Sequence, residues 1–335
     1  MADFDYRLPE AAIAQVPAEP RDAARLLVAL GGAPAHRRVS DLADLLHAGD
    51  LLVVNTTRVL PARLHLRKAT GGAAEVLLLE PCGPGPDDWE ALVRPGRRLP
   101  PGSVLASLTG EPLVAVGAPS ADGGVRRVRL LGDPWACGEV PLPPYLHQGI
   151  ADPERYQTVY ADRPGSVAAP TAGLHLTTAV IDRCRAKGVG FATVDLAVGL
   201  DTFRPVTAAD PADHQMHTEA YRISEQTWTA CEEARAAGGR VVAVGTTTVR
   251  ALEAATETGR LEGRTALFIR PPRRVRSVDV LMTNFHLPRS SLLLLVEAFA
   301  GPGWRALYRL ALEDGYRFLS FGDAMLLGNC GERGG

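Results

Sequence analysis

The sequence has no apolar run long enough to cross a bilayer. The longest run, SLLLLVEAFA from Ser291, has ten residues, about half of the roughly 20 that a membrane-spanning helix needs. No apolar segment follows a basic stretch near the start, so no signal peptide is indicated. We therefore expect a cytoplasmic protein with no membrane partner.

Cysteine is scarce, and its spacing supports neither a metal site nor a disulfide framework. The five cysteines are Cys82, Cys137, Cys184, Cys231 and Cys330, without C-x-x-C spacing or a nearby paired histidine. Zinc sites and disulfide-rich scaffolds depend on such spacings. We expect reduced, mostly structural cysteines and no bound metal.

Several nucleotide-binding and hydrolase motifs are also missing. The sequence has no G-x-G-x-x-G after a strand, no phosphate loop with its lysine, no H-E-x-x-H and no nucleophile elbow. Nicotinamide, ATP and zinc-protease chemistry therefore has no support. The glycine motif of the common methyltransferases is missing too, so methyl transfer in that fold is not indicated.

The chain lacks an excess of basic residues. Its 36 Lys and Arg residues against 38 Asp and Glu residues give a formal net charge of −2. Phosphate neutralisation supplies much of the affinity of proteins for nucleic acid, and no basic stripe interleaved with aromatic residues is present. A simple RNA-binding scaffold is disfavoured, and any RNA contact must come from a local basic patch.

The composition is that of a folded protein large enough for two domains. Of its 335 residues, 46% are apolar and 22% are charged. Helical and strand patterns alternate in residues 1–61 and 149–335, whereas residues 62–148 hold short β-type runs separated by Gly, Pro and Asp. We predict a discontinuous, layered α/β main domain and an all-β insert, a small barrel or sandwich, whose ends lie close together.

Within the α/β parts, apolar spacing predicts individual elements. Helices are expected at 9–15, at 42–46, at 178–187, at 224–237, at 247–257 and from Ser290 and Trp304, and strands at 26–29, 51–54, 191–196, 240–245 and 266–269. The strand at 241–244 is wholly apolar, which is typical of a strand covered on both faces.

Residues 164–178, PGSVAAPTAGLHLTT, form the most distinctive stretch. Glycine lets the backbone approach a ligand closely, proline stiffens the approach, and the free N–H groups at a helix start attract anions. Pro170, Thr171 and Gly173 are therefore candidates for substrate binding, and His175 is a candidate general acid or base. The alternative is an ordinary loop in which Thr177 caps the next helix.

The segment VVAVGTTTVRALE is the second candidate site. A strand ends at Gly245, and Thr246, Thr247 and Thr248 stand where a helix begins. Ligands in α/β sheets gather at the carboxyl ends of strands, where these hydroxyl and N–H groups could hold a carboxylate or phosphate. Arg250 could add a cation. Simple helix capping is the alternative.

Four further residues are less specific candidates. Arg58 follows a strand at a polar turn and could bind an anion or a partner chain, or form a plain salt bridge. His217 and His286 are additional candidate acids or bases, although a lone histidine is more often structural. Asp323, between two apolar runs, is either a buried carboxylate that orients another group or a turn residue.

Segments along nearly the whole chain resemble one family. PGSVAAPTAGLH, together with DFDYRLPEAAIAQVPAEPRDAARLLV near the start and YRFLSFGDAMLL near the end, is similar to the S-adenosylmethionine:tRNA ribosyltransferase-isomerase family of queuosine biosynthesis. Further segments lie in the family's order, among them GDLLVVNTTRVLPARL, WEALVRPGRRLPPG, GGRVVAVGTTTVRALE and LMTNFHLPRSSLLLLVEAFAG.

The resemblance implies a fold and a reaction. The insert is expected to be a small barrel. The enzyme is expected to move the ribosyl part of S-adenosylmethionine onto 7-aminomethyl-7-deazaguanine in the tRNA anticodon loop, to rearrange it to epoxyqueuosine, and to release adenine and methionine. S-adenosylmethionine is a co-substrate, and no metal or prosthetic group is required. We expect a monomer that binds the donor between residues 170–178 and 246–250.

The resemblance and the charge pattern supply further site residues. Asn284 and His286 of LMTNFHL are candidates for substrate binding. Arginines of the insert could contact the RNA backbone, foremost Arg94, Arg97 and Arg98, and then Arg126, Arg127 and Arg129. For each arginine alone, a solvated turn or strand face is at least as good an interpretation.

Three residues depart from the pattern typical of the family. Ala197 stands where a histidine is typical, Asp201 where a small residue is typical, and Thr56 where an acidic residue is typical. Loss of a general acid or base costs about 10²- to 10⁴-fold in rate. Asp195, on the same strand face as Ala197, or Asp201 could compensate, so Asp195 is a further catalytic candidate. A paralogue that uses the donor on another acceptor, or only cleaves it, is the alternative.

Overall fold

The computed structural model describes residues 1–120, 124–199, 206, 208, 210–214 and 216–331, and of Arg97 only the backbone. The chain divides into two compact units. The first consists of Met1–Thr57, Pro144–Arg163 and Ala169–Gly335, and the second of Arg58–Pro143 and Pro164–Ala168. No helix in the described part of the chain is long and apolar enough to cross a membrane.

The described elements are as follows. In chain order the strands are β1 (Arg25–Ala29), β2 (Ala35–Arg38), β3 (Leu51–Asn55), β4 (Thr57–Val59), β5 (Arg63–Lys68), β6 (Ala73–Pro81), β7 (Asp88–Arg94), β8 (Val104–Ala106), β9 (Pro112–Pro119), β10 (Val125–Leu130), β11 (Arg163–Ser166), β12 (Gly190–Leu196), β13 (Glu219–Ile223), β14 (Val241–Val244), β15 (Glu262–Thr265), β16 (Val280–Asn284) and β17 (Ala324–Gly328). The α-helices are α1 (Leu42–Leu45), α2 (Thr178–Ala186), α3 (Glu225–Ala236), α4 (Thr246–Thr258), α5 (Ser291–Ala300) and α6 (Trp304–Glu313). Short 3₁₀ helices include Glu10–Ala12, Gly96–Arg98 and Thr171–His175.

A nine-stranded sheet forms the centre of the first unit, in the order β15-β13-β12-β3-β14-β16-β17-β1-β2. Strands β12, β3, β14 and β16 run parallel. Strand β17 runs antiparallel to β16 and parallel to β1. Because parallel strands end at the same edge, the residues that follow β3, β14 and β16 lie near one another. This edge carries the candidate site.

The central strands of the sheet are buried on both faces. Every residue of β3, β14 and β16 is buried, as expected for parallel strands between two layers. Leu42 of α1 and Val180 of α2 belong to the same apolar cluster as Leu52 and Val54 of β3. Full burial of such a side chain contributes roughly 2 kcal/mol, so this cluster holds the helices firmly on the sheet.

The second unit contains a closed barrel in the order β10-β7-β6-β5-β8-β9. In β5 the inward residues Leu64 and Leu66 are buried and alternate with exposed ones. The two ends of the barrel segment lie side by side, because the backbones of Arg63 and Glu139 exchange N–H···O hydrogen bonds of 3.0 and 2.9 Å. The sheet and the barrel together confirm the predicted fold class, an α/β main domain with a small barrel.

Most of the predicted α/β elements are confirmed, among them the helix at 42–46, which is α1 (Leu42–Leu45). Two expectations are wrong. The strand predicted at 266–269 lies earlier, at β15, because antiparallel pairing with β13 selects its polar residues. The helix predicted at 9–15 is the single turn Glu10–Ala12, because Ile13 forms an extended bridge with Phe318.

Candidate functional site

A narrow cleft lies at the carboxyl edge of the parallel strands. We call it the first cleft. It is lined by residues 169–172, 245–247 and 283–287, and by Tyr145, Ser290, Leu292 and Leu319. It therefore brings together five segments that are far apart in the sequence, including both stretches singled out above.

Helix α4 begins at the cleft. Gly245 precedes it with φ of 89°, a left-handed conformation that favours glycine and turns the chain from strand to helix. Within the described part of the chain, no side chain caps the N-terminus of α4. Thr246 and Thr247 are buried and line the cleft, whereas the Thr248 hydroxyl donates to the carbonyl oxygen of Val244 over 2.8 Å. Two of the three predicted threonines thus face the cleft, and the third stabilises the turn.

Asn284, the last residue of β16, organises the opposite wall. Its Oδ1 accepts a hydrogen bond from the Thr171 hydroxyl over 3.0 Å. Its Nδ2 donates to the carbonyl oxygen of Leu319 over 3.1 Å and lies 2.9 Å from His175 Nε2. Because a carbonyl oxygen only accepts, Nδ2 is the donor on this side. His175 Nε2 is therefore the accepting nitrogen, and its ring proton is on Nδ1.

His175 is buried behind Asn284 and does not line the cleft. Burial, with smaller contributions from the nearby Arg317 and Arg21 guanidinium groups, lowers its pKa from the ordinary 6.5 to about 4. The imidazole is therefore neutral at pH 7. Because the accepting nitrogen of His175 is hydrogen-bonded to Asn284, the imidazole holds the Asn284 amide in place.

Gly173 allows close packing in the same 3₁₀ helix. A Cβ atom at this position would lie 2.1 Å from the Tyr160 hydroxyl and 2.9 Å from Thr158 Cγ2. Neither distance is compatible with an unshifted neighbour. Gly173 thus supports the cleft from behind, whereas Pro170 and Thr171 line it.

His286 is the histidine that lines the cleft. Its Nε2 lies 2.9 Å from the Thr283 hydroxyl, its backbone N–H donates to the Tyr308 hydroxyl over 3.0 Å, and the Tyr6 hydroxyl donates to its carbonyl oxygen. Burial lowers its pKa to about 3. The cleft therefore presents a neutral, well-anchored imidazole.

Asn55 is a site residue that the sequence analysis missed. It is the last residue of β3, and its Nδ2 donates to the carbonyl oxygen of Leu196 over 3.0 Å and to the Thr247 hydroxyl over 3.2 Å. Its position at the end of a buried apolar strand, next to the strand that precedes the threonines, is the signal that could have identified it.

Two predicted site residues have other partners. Arg250 forms a buried ion pair with Glu219 and donates from Nε to the carbonyl oxygen of Leu267 over 3.3 Å, so it is not in the lining of the cleft. The Asp323 carboxylate accepts the backbone N–H groups of Arg25 and Arg317 over 2.8 and 2.7 Å. This buried carboxylate braces the backbone before β17.

Arg58 and His217 also lie outside the lining of the first cleft. Arg58 belongs to β4 and to the second unit. His217 is exposed just before β13. Asp201 lies outside the described residues.

A second, more open cleft contains Asp195, Thr56 and charged residues of the strands around them. The Asp195 carboxylate lies 3.9 Å from Arg163. Burial raises the pKa of Asp195, and the Arg163 charge opposes this effect. On β13 and β15, Arg222 pairs with Glu262 at 3.8 Å. Asp195 is therefore in an ion-pair cleft and does not belong to the lining of the first cleft.

The arginines predicted to bind RNA have different environments within the barrel. Arg94 and Arg98 are exposed at the ends of the turn Gly96–Arg98, and the Arg97 side chain lies outside the described atoms. The prediction that Arg126 contacts RNA is wrong. It is buried, and its guanidinium donates to the carbonyl oxygens of Gly96 and Leu99 over 3.1 and 2.5 Å.

Arg129 is also engaged, in an exposed ion pair with Asp88 at 2.9 Å. Arg126 and Arg129 thus have structural partners, whereas the turn that Arg126 holds carries the exposed Arg98. The barrel arginines that remain candidates are Arg94, Arg97, Arg98 and Arg127.

The fold and the first cleft define the class of protein. A sheet whose central parallel strands end at a concave pocket lined by apolar and polar groups is the usual arrangement of an α/β enzyme that binds a small molecule. Here the same chain carries an inserted β-barrel.

Comparison with known proteins identifies the family within this class. A family described as "Queuosine biosynthesis protein" matches residues 1–327. S-adenosylmethionine:tRNA ribosyltransferase-isomerases of Thermus thermophilus and Gloeobacter violaceus are 52% and 51% identical to the chain, over 97% of it in both cases and over 98% and 94% of the relatives. A crystal structure of S-adenosylmethionine tRNA ribosyltransferase from Thermotoga maritima is 36% identical with a TM-score of 0.56, over 97% of this chain and 99% of that one. The chain belongs to the queuosine biosynthesis protein family, as the resemblance indicated.

Proposed function

We propose that the protein transfers the ribosyl part of S-adenosylmethionine to 7-aminomethyl-7-deazaguanine in tRNA and isomerises it, giving epoxyqueuosine and releasing adenine and methionine. The observation that carries this proposal is the end-to-end similarity to relatives named S-adenosylmethionine:tRNA ribosyltransferase-isomerase, at about half identity. Relatives this similar over the whole chain share the fold that builds the cleft.

The donor site in this proposal is the first cleft. Its lining combines hydroxyl groups, an amide and an imidazole on elements that are buried and mutually hydrogen-bonded. Such groups hold a substrate in one orientation because little reorganisation is needed on binding. No metal or prosthetic group is part of the proposal.

Catalysis in this proposal rests on the sulfonium of the donor. The positive sulfur acidifies the hydrogen on C5′ and makes methionine a good leaving group, so the protein must supply a base and a rigid grip. We place the base at His286, whose imidazole lines the cleft. Burial lowers its pKa, which keeps the imidazole unprotonated at pH 7 and also makes it a weaker base than a free imidazole. His175 is a positioning residue that acts through Asn284.

The acceptor is the tRNA anticodon loop. Arg94 and Arg98 at the exposed barrel turn are the proposed contacts for its phosphates, together with Arg97. A local patch of this kind is needed because the chain as a whole carries a net charge of −2. The protein is proposed to act as a cytoplasmic monomer, which sedimentation of the purified protein with and without tRNA would test.

The test is incubation of the purified protein with S-adenosylmethionine and tRNA that carries the aminomethyl precursor, followed by mass spectrometry of the nucleosides. We expect epoxyqueuosine together with adenine and methionine. Release of adenine and methionine without modified tRNA would contradict the proposed acceptor. If no product forms, the Ala197→His variant tests whether the departure at that position has removed the activity.

A further inference from the structure

The lining of the first cleft carries no charged side chain among the described residues. Its polar groups are hydroxyls, an amide and the imidazole of His286, and burial keeps that imidazole uncharged at pH 7. The buried ion pair of Arg250 with Glu219 lies outside the lining. The described lining therefore offers a ligand hydrogen-bonding groups without a counter-ion.

The donor groups of the cleft are concentrated at the start of α4. Asn55 donates to the Thr247 oxygen, which leaves the hydroxyl proton of Thr247 free to point elsewhere. Thr246 is 6% exposed and lines the cleft, and its hydroxyl has no hydrogen-bond partner among the described residues. The first N–H groups of the 13-residue helix have no side-chain cap from the described residues. A ligand that presents acceptor atoms suits these groups.

The two halves of S-adenosylmethionine differ in how well they match this lining. The methionine half carries an ammonium, a carboxylate and the adjoining sulfonium, and burying an unpaired charge is strongly unfavourable. The helix start would also repel its two cations. The adenosine half is uncharged, and its ring nitrogens and ribose oxygens are acceptors. The carboxylate alone could use the helix start, but it would bring the ammonium with it.

We infer that the first cleft binds the adenosine half of the donor, with Thr246 and the start of α4 against the base, and leaves the charged methionine half at the cleft opening. This inference rests on the proposed function, since it assumes that S-adenosylmethionine is the donor. It places the base that the proposed reaction releases, adenine, beside the uncapped N–H groups of α4.

The test is calorimetric titration of the purified protein with S-adenosylmethionine, adenosine and L-methionine. Thr246→Val removes the hydroxyl at nearly constant volume and is expected to weaken binding of S-adenosylmethionine and of adenosine by a similar factor, about 5- to 10-fold. Thr246→Ser keeps the hydroxyl and should retain most of the affinity. Thr256→Val makes the same exchange at an exposed position of the same helix and should change the affinity for neither ligand.

The outcomes separate the inference from the function on which it rests. If Thr246→Val weakens the binding of L-methionine and leaves the binding of adenosine unchanged, the inferred orientation of the donor is wrong, while the location of the donor site still holds. If the wild-type protein binds no S-adenosylmethionine, the proposed function and the inference both fail. Thermal unfolding of each variant shows whether a lost affinity reflects a lost fold.

Discussion

The two clefts of the first unit are built on opposite principles. In the first cleft, the side chains of Asn284 and Thr247 are buried and that of Thr171 is half-buried. Thr171 is hydrogen-bonded to Asn284, Asn284 to the backbone of Leu319, and Thr247 to Asn55. In the second cleft, Asp195 and Arg163 form a long ion pair, and half of the Arg163 side chain is exposed. The hydrogen bonds of the first cleft form when the chain folds, whereas water can replace the ion pair of the second cleft at little cost in free energy.

This difference predicts how the two regions respond to change. A buried group that loses its partner costs about 1–3 kcal/mol, because it cannot turn to water instead. An exposed ion pair is worth about 0–1 kcal/mol, since solvent screens the charges. A site that must position a substrate therefore belongs in the first cleft, and substitutions should have larger effects there.

The largest effect is expected for Gly173→Ala. The added methyl group would lie 2.1 Å from the Tyr160 hydroxyl, so either the Tyr160 side chain or the 3₁₀ helix that carries Thr171 and His175 must move. We expect a loss of about 3 kcal/mol in the free energy of unfolding and at least a tenfold loss of affinity for S-adenosylmethionine. Denaturant unfolding and calorimetry measure the two quantities.

Gly149→Ala is the matched control for this prediction. A Cβ atom at Gly149 meets no heavy atom within 4 Å, so this variant should behave as the wild type. If Gly173→Ala also left the free energy of unfolding and the affinity for S-adenosylmethionine unchanged, the close packing behind the cleft would not matter for donor binding. The contrast between the two clefts would then lose its main support.

A smaller effect concerns pH and the buried histidines. The pKa of His286 is about 3 in the folded protein against an ordinary 6.5, so between these values the unfolded chain binds a proton that the folded chain does not. Stability from this group is fully present above pH 6.5 and is lost as the pH falls. The expected slope is about 1.4 kcal/mol per pH unit, and His175 adds a similar loss between pH 6.5 and about 4.

Denaturant unfolding between pH 7 and pH 4.5 measures this slope. His286→Gln removes one titrating group and should reduce the slope by about one proton. His147→Gln replaces an exposed histidine and should leave the slope unchanged. An identical slope in wild type and His286→Gln would mean that His286 is not buried as a neutral group.

The smallest effect is expected for Asp195→Asn in the second cleft. Burial raises the pKa of this carboxylate and Arg163 opposes the shift, so its removal has offsetting consequences. We expect a change in unfolding free energy within about 0.5 kcal/mol and unchanged affinity for S-adenosylmethionine. A tenfold loss of affinity would show that the second cleft contributes to the donor site, contrary to this account.

Local patterns predicted those parts of the first cleft that lie within one element. The apolar run of β14 and the threonines that start α4 are adjacent in sequence, so their strand-to-helix turn follows from spacing alone. Thr177 likewise caps α2 as proposed, since its hydroxyl accepts the Val180 N–H over 3.2 Å. Such features depend on neighbours a few residues away.

The partners across the cleft could not be predicted in this way. Asn55 and Thr247 meet because β3 and β14 are adjacent in the sheet, and strand order is a property of the whole fold. The partner of Arg250 could not be predicted either. Its charge suggested an anion site, but β13 places Glu219 against it. The polar strand β15 was missed because edge pairing, and not apolar alternation, determines it.

The most direct measurement for the donor site is a crystal structure of the protein with S-adenosylhomocysteine, which has the adenosine half but no sulfonium. We predict the adenine ring in the first cleft, with hydrogen bonds to Thr246 and to the N–H groups at the start of α4, and the amino-acid end at the cleft opening. Adenine bound in the second cleft beside Asp195, or the amino-acid end bound at α4, would contradict the account.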